Sequence, residues 1–222
     1  MTGELDFGWL EKGIAALLEG AAITLLLTLC STVLGLLISV LGAAARRGRI
    51  RWIRVIVGFY VEAIRNTPFL VQLFFIYFGL PSVGVNLDPV WAAIIAMTLN
   101  VGAYATVIVA AGLDAVAPGQ REAAQALGLK PHLVFVKVVL PQALAVIFPA
   151  LASQIIITML DSAVVSQISV RELTMRANLI QSETFRPFET FLVATVVYLL
   201  LSILVRRVMN ACASRYLGPG LS

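Results

Sequence analysis

The sequence predicts an all-α integral membrane protein of about five transmembrane helices, on three observations. The chain of 222 residues is 60% hydrophobic and only 13% charged, whereas soluble domains sit near about 45–50% apolar and about 25% charged. Its apolar residues gather into uncharged runs long enough to cross a bilayer. Its basic residues gather into short clusters between those runs. The net charge of +4 therefore reads as membrane orientation rather than as affinity for nucleic acid, because Lys and Arg at the ends of apolar runs set topology.

The elements follow in order. Met1 to Lys12 carries Glu4, Asp6 and Glu11 against one lysine, the wrong sign for a signal-peptide start, so the first apolar segment is expected to stay as a span. Ala21 to Ala45 is uncharged over 25 residues, and at about 1.5 Å per residue it exceeds a hydrocarbon core of about 30 Å. Val55 to Leu80 is apolar except for Glu62 and Arg65, and ends at Leu80-Pro81 with Gly84 beyond. Pro89 to Leu113 is uncharged over 25 residues and Val138 to Leu160 over 23. Thr190 to Val205 offers 16, lengthened by the snorkelling stem of Arg206 and by Phe188 at the interface. The expected arrangement is a single transmembrane domain over 1–222, with helices at about 21–45, 55–80, 89–113, 138–165 and 189–207.

Orientation follows from the basic residues. Arg46, Arg47, Arg49, Arg51 and Arg54, then Arg121, Lys130 and Lys137, then Arg206, Arg207 and Arg215 make 11 on one side. Lys12, Arg171, Arg176 and Arg186 make 4 on the other. The richer side is retained in the cytoplasm, so an odd number of spans puts the N-terminus in the periplasm and the C-terminus in the cytoplasm.

Between the third and fourth spans lies a cytoplasmic segment, 117–141, unlike the other loops. Pro118 starts a helix, alanine-rich Glu122 to Leu127 propagates it, and Gly128 stops it before Pro131. A short, partly polar helix on the cytoplasmic face is what a docking knob needs, with a plain surface connector as the lesser alternative. Glu122-Ala123-Ala124, then Gly128, then Val138, Leu140 and Pro141 resembles the EAA signature of importer-type ABC permeases. Tyr60 to Gln72 with Ile76 to Pro81, Ala103-Tyr104 and Gly119-Gln120 are similar to the polar amino acid branch of those permeases. Leu160 to Ala163 and Glu172 to Thr174 are looser likenesses. The resemblance implies the importer-type ABC permease fold, placement as a multi-pass protein of a bacterial inner membrane, and transport of a polar amino acid rather than catalysis. It also implies three partners besides membrane lipid: a dimer of ABC ATPase subunits, a second permease subunit, and a periplasmic amino-acid-binding protein. The chain has no GxxxxGK[ST] loop, so ATP and Mg²⁺ are expected on the partner ATPase, with no cofactor or metal held here.

Polar residues within the spans are functional candidates, because each is costly in lipid. Glu62 and Arg65 stand one turn apart and are expected to neutralise each other, either steadying a helix broken at Thr67-Pro68 or serving a gate. Asn100, Tyr104 and Val107 share one face of the third span, and Gln154, Thr158 and Asp161 share one of the fourth. The two stripes line a polar pathway or glue helices together. Asp161 beside Ser162 suits a substrate ammonium, and Arg171 is the alternative partner for that carboxylate. Permeases of this branch often carry an acid three residues after the Ala-Tyr pair and an arginine three further on, where this chain has Val107 and Ala110. His132 reads as an interface residue, Met159 and Met175 as packing, and Cys30 and Cys212 form no disulfide or metal pattern. The rivals are an ion-coupled secondary transporter, which calls for repeats and midplane carboxylates, an intramembrane enzyme, and an ABC permease for another small polar solute.

Overall fold

The longest uncharged run becomes one continuous helix. A computed structural model describes residues 5–217, in which α1 is Leu10–Arg47, 38 residues, or about 57 Å at 1.5 Å per residue. It starts about three turns before the expected position at 21. Those early turns are held by protein rather than lipid, since Gly13, Leu17 and Gly20 are buried. Glu4 lies outside the described residues.

The buried face of α1 is made of small residues at intervals of three and four, including Thr24, Thr28, Ser31, Gly35, Ser39 and Gly42. Against it packs α4, Pro89–Ala115. A Cβ on Gly35 would stand 2.7 Å from Val101 Cγ1, and one on Gly42 2.6 Å from Thr106 Oγ1. Lipid tails are as apolar as leucine, so close backbone approach between small residues is what draws these helices together. Arg47 pairs with Asp114 and donates to the Ala110 carbonyl at 2.9 Å, tying the ends of α1 and α4.

The expected span 55–80 is not one straight helix. α2 is Arg51–Arg65 and α3 is Phe69–Phe74, extended by a π turn at Phe75–Gly79 and a 3₁₀ turn at Leu80–Val83. The two halves are bent by 112°. Pro68 is the cause: it has no N–H to give to the Ile64 carbonyl and disfavours helical backbone at Thr67.

α5, Pro118–Ala126, follows α4. The fourth span then runs from α6, Pro131–Val134, through a π turn at Phe135–Val139 into α7, Leu140–Asp161, and ends in a 3₁₀ turn at Ser162–Ile168. It begins in the chain well before 138, because Pro131 starts the helix outside the apolar run. A further helix, α8, Leu173–Thr184, has no counterpart in the sequence reading. It carries too few apolar residues to register as a span, and Glu172 caps its N-terminus by accepting from Met175 N at 2.8 Å. α9 is Pro187–Leu217, outlasting the expected end at 207 because a helix need not stop where the hydrocarbon does. Among the described residues four helices are long and apolar enough to span, and five spans result if the bent pair counts as one.

Two buried clusters hold the bundle. One joins Leu27, Leu73, Ala93, Met97, Val165 and Ile168; the other joins Leu17, Met159, Leu173, Ala177, Ala194 and Leu201. The outer faces of α1 and α9 expose Leu26, Leu29, Leu37, Leu199 and Leu200, an apolar surface of the kind that lipid covers.

Candidate coupling segment and translocation path

The coupling candidate is built on a single buried alanine. Ala124 sits with Val116, Val134, Val139 and Ala143, fastening α5 to the start of the fourth span. Glu122 and Ala123 are exposed beside it. Past Leu127 the chain turns at Gly128, whose φ of +77° is the left-handed region that glycine enters without penalty. Gly128 N donates to the Gln125 carbonyl at 2.9 Å and Leu129 N to the Ala124 carbonyl at 3.2 Å, closing the helix end. Leu140 is half-buried and Pro141 exposed, the first two residues of α7. Leu127, absent from the sequence-based candidates, is 82% exposed at the tip of this knob. Its signal was a lone large apolar residue at the end of an otherwise polar and alanine-rich helix.

The second candidate is the break in the second span. Gln72 is buried, and its Nε2 donates to the Ile64 carbonyl at 2.7 Å, the Thr67 carbonyl at 2.9 Å and Thr67 Oγ1 at 3.0 Å. Its Oε1 accepts from Asn100 Nδ2 at 3.1 Å. The side chain thus supplies the donor that Pro68 withholds and ties the break to α4. The Glu62–Arg65 ion pair does not form. Glu62 Oε2 accepts from Asn66 Nδ2 at 3.0 Å, and the Arg65 guanidinium lies over the Tyr104 ring, 5.5 Å from its centroid. The broken turn draws Asn66 back over Glu62 and leaves Arg65 to the ring.

On the fourth span, Gln154 and Thr158 are buried and Asp161 is half-buried. Thr158 Oγ1 donates to the Gln154 carbonyl at 2.9 Å and Ser162 Oγ to the Met159 carbonyl at 2.6 Å. Both hydroxyl protons are therefore spent on their own helix. Asp161 forms no salt bridge among the described residues, with Arg171 or otherwise. A nearby group that sequence reasoning left aside is Glu172, fully buried. It accepts from Tyr198 OH at 2.8 Å, Met175 N at 2.8 Å and Thr24 Oγ1 at 3.4 Å, joining α8, α1 and α9. Burial pushes its carboxyl above the usual glutamate range, against the pull of these hydrogen bonds.

Residues 35–218 match the model of the family described as binding-protein-dependent transport system inner membrane component. The chain belongs to this family. Among similar members is the arginine transport system permease protein ArtQ of Bacillus subtilis (strain 168). It is 34% identical over 202 residues, which cover 90% of this chain and 92% of ArtQ. The L-cystine transport system permease protein TcyB of the same organism is 40% identical over 158 residues, covering 71% of this chain and 68% of TcyB. A crystal structure of an amino acid ABC transporter with histidines aligns with a TM-score of 0.87 at 34% identity, over 96% of this chain and 99% of that one. The importer-permease fold expected from the EAA-like spacing is therefore this chain's fold, and this permease is a membrane transport subunit rather than an enzyme.

Proposed function

We propose that this permease forms one half of the pore of an ATP-driven importer that carries a polar amino acid across the bacterial inner membrane. The relatives' names support the substrate class. The observation that carries the coupling role is the knob itself: α5 closed by left-handed Gly128, seated through Ala124 and tipped by exposed Leu127. Glu122, Ala123, Ala124 and Gly128, with Leu140 and Pro141 behind them, dock in a groove of a separate ATPase subunit, one of a dimer. That subunit holds ATP and Mg²⁺. ATP-driven closure of the ATPase dimer moves the knob, and α6 with the π turn at Phe135–Val139 passes the movement into the fourth span. A second permease subunit completes the pore, and a periplasmic amino-acid-binding protein delivers the substrate. Asn100, Tyr104, Gln154, Thr158, Asp161 and Ser162 line or brace the substrate path, with Asp161 the free carboxylate for an ammonium group.

The reading fixes orientation: knob in the cytoplasm, α8 in the periplasm. Reporter fusions after residues 50 and 130 should report cytoplasm and those after 84 and 185 periplasm, and membrane vesicles holding the complete importer should take up an amino acid only when ATP and the binding protein are both present. A cytoplasmic signal at 84, or uptake driven by a proton gradient without ATP, would overturn it.

A further inference from the structure

Arg65 is a charge without a counter-ion at membrane depth. α2 is 15 residues long, about 22 Å at 1.5 Å per residue. Counted from Arg51, which belongs to the basic cluster read as cytoplasmic, Arg65 stands at most this far into a hydrocarbon core of about 30 Å, whatever the tilt of α2. Among the described residues it forms no salt bridge with any acid. Glu62, one turn back, is turned to Asn66. The only acid of α4 is Asp114, which takes Arg47. The next turn of α4 beyond Tyr104 offers Val107.

What Arg65 does have is a platform. Its guanidinium lies over the Tyr104 ring, and the side chain is exposed on the surface of the isolated chain. The ring attracts the cation without accepting a conventional hydrogen bond from it, and the N–H donors of a guanidinium match two carboxylate oxygens in parallel. The stack also holds the charge in one place, which lowers the ordering cost of meeting an anion. An uncompensated cation at this depth is costly, so an anion that arrives from outside the chain gains what no residue here supplies.

We propose that Arg65, positioned by Tyr104, is the receptor for the α-carboxylate of the transported amino acid at the break of the second span. The inference rests on the amino-acid reading above and goes beyond it by assigning the group that is recognised. An α-carboxylate is common to all amino acids, so Arg65 selects the class and leaves side-chain selection to other residues. Tyr104 is a positioning residue: it holds the guanidinium beside α4 without touching the substrate.

The test uses the purified permease–ATPase complex in lipid nanodiscs without its binding protein, which has its own carboxylate preference. The probes are the tritiated proteinogenic amino acids and, for the tightest of them, its α-carboxamide. The wild type should prefer the free acid by about tenfold or more, the scale of a hydrogen bond to a charged group. Arg65→Gln should erase that preference, and Arg65→Lys should keep it at lower affinity. Val107→Glu leaves Arg65 in place and gives it an internal counter-ion, so it should weaken binding of the acid but not of the amide; it serves where Arg65→Gln fails to assemble. An unchanged carboxylate preference in Arg65→Gln or in Val107→Glu would overturn the assignment and leave the amino-acid reading standing. So would uptake restored by the exchange Glu62→Arg with Arg65→Glu, since the two would then be partners of each other. A wild-type complex that binds none of the amino acids overturns both readings.

Discussion

Replacing Gln72 by leucine tests whether the break in the second span is held by one side chain. Leucine has nearly the same volume, so packing around this position, 8% exposed, changes little and the effect isolates the hydrogen bonds. The amide nitrogen has two hydrogens and three acceptors within 3.0 Å. Ile64's carbonyl otherwise has approaches of 3.5 Å from Thr67 and a weak share of the Asn66 N–H, because the next helical donor would be Pro68. The substitution orphans that carbonyl and the buried Asn100 amide, at about 1–3 kcal/mol each in a dry interior. In membrane proteins a side-chain hydrogen bond averages only about 0.6 kcal/mol and reaches about 1.7, because the unfolded chain in lipid also finds partners. Thr67 and Pro68 are exposed and can rehydrate, so the lower scale governs the Ile64 and Thr67 carbonyls and the upper one the Asn100 contact. A total near 3 kcal/mol follows, or about 6–12 °C in Tm for a chain of this size. The assays are a melting curve of the detergent-purified complex and amide exchange over 64–74, which should quicken. A Gln72→Leu protein with wild-type Tm and exchange would refute the reasoning, because the break would then be held by something other than this amide.

Two further outcomes follow from packing and charge. Gly112→Ala should destabilise by about 1–3 kcal/mol, since its Cβ would stand 2.1 Å from Ile147 Cγ2 and 3.1 Å from the Ala143 carbonyl; Gly58→Ala, with open space around it, should be neutral or gain up to about 1 kcal/mol, and equal melting shifts in the two would contradict the close α4–α7 contact. Glu172 binds its proton more tightly folded than unfolded, so its contribution is fully present below the unfolded value of about 4.3 and is lost as pH rises through the higher folded value. Melting curves from acid to neutral pH should show this decline in the wild type and a flatter profile in Glu172→Gln, and identical slopes would mean that the carboxyl is not held up by burial.

Three of the spans were legible because uncharged runs of 23 to 25 residues have few alternatives to crossing a bilayer. The bend at Pro68 was legible as a break but not as a turn of 112°, because the angle depends on Gln72 and Asn100 meeting from two helices. The EAA-like segment was readable since its Pro, Ala and Gly act locally. The Glu62–Arg65 pairing failed because spacing along a helix says which groups are within reach, not which competitor wins; Asn66 and Tyr104 won. α8 was missed because its anchors, Thr24 on α1 and Tyr198 on α9, lie far away in sequence. Leu127 is marked in the sequence only as a lone large apolar residue after a polar and alanine-rich helix, and its 82% exposure is what singles it out.

Leu127 also offers the most direct measurement of the central claim, that this chain is a permease driven through its cytoplasmic knob by a separate ATPase. Because the side chain is 82% exposed on the isolated chain, Leu127→Ser should leave the melting temperature unchanged. Burying a leucine in a partner's groove is worth about 1.5–3 kcal/mol, so the same change should loosen docking about tenfold or more. In proteoliposomes holding the complete importer, ATP hydrolysed and amino acid taken up are measured together. Leu127→Ser is expected to lower uptake per ATP sharply while the protein still inserts and melts as before. Uptake per ATP equal to that of the wild type at limiting ATPase would contradict it.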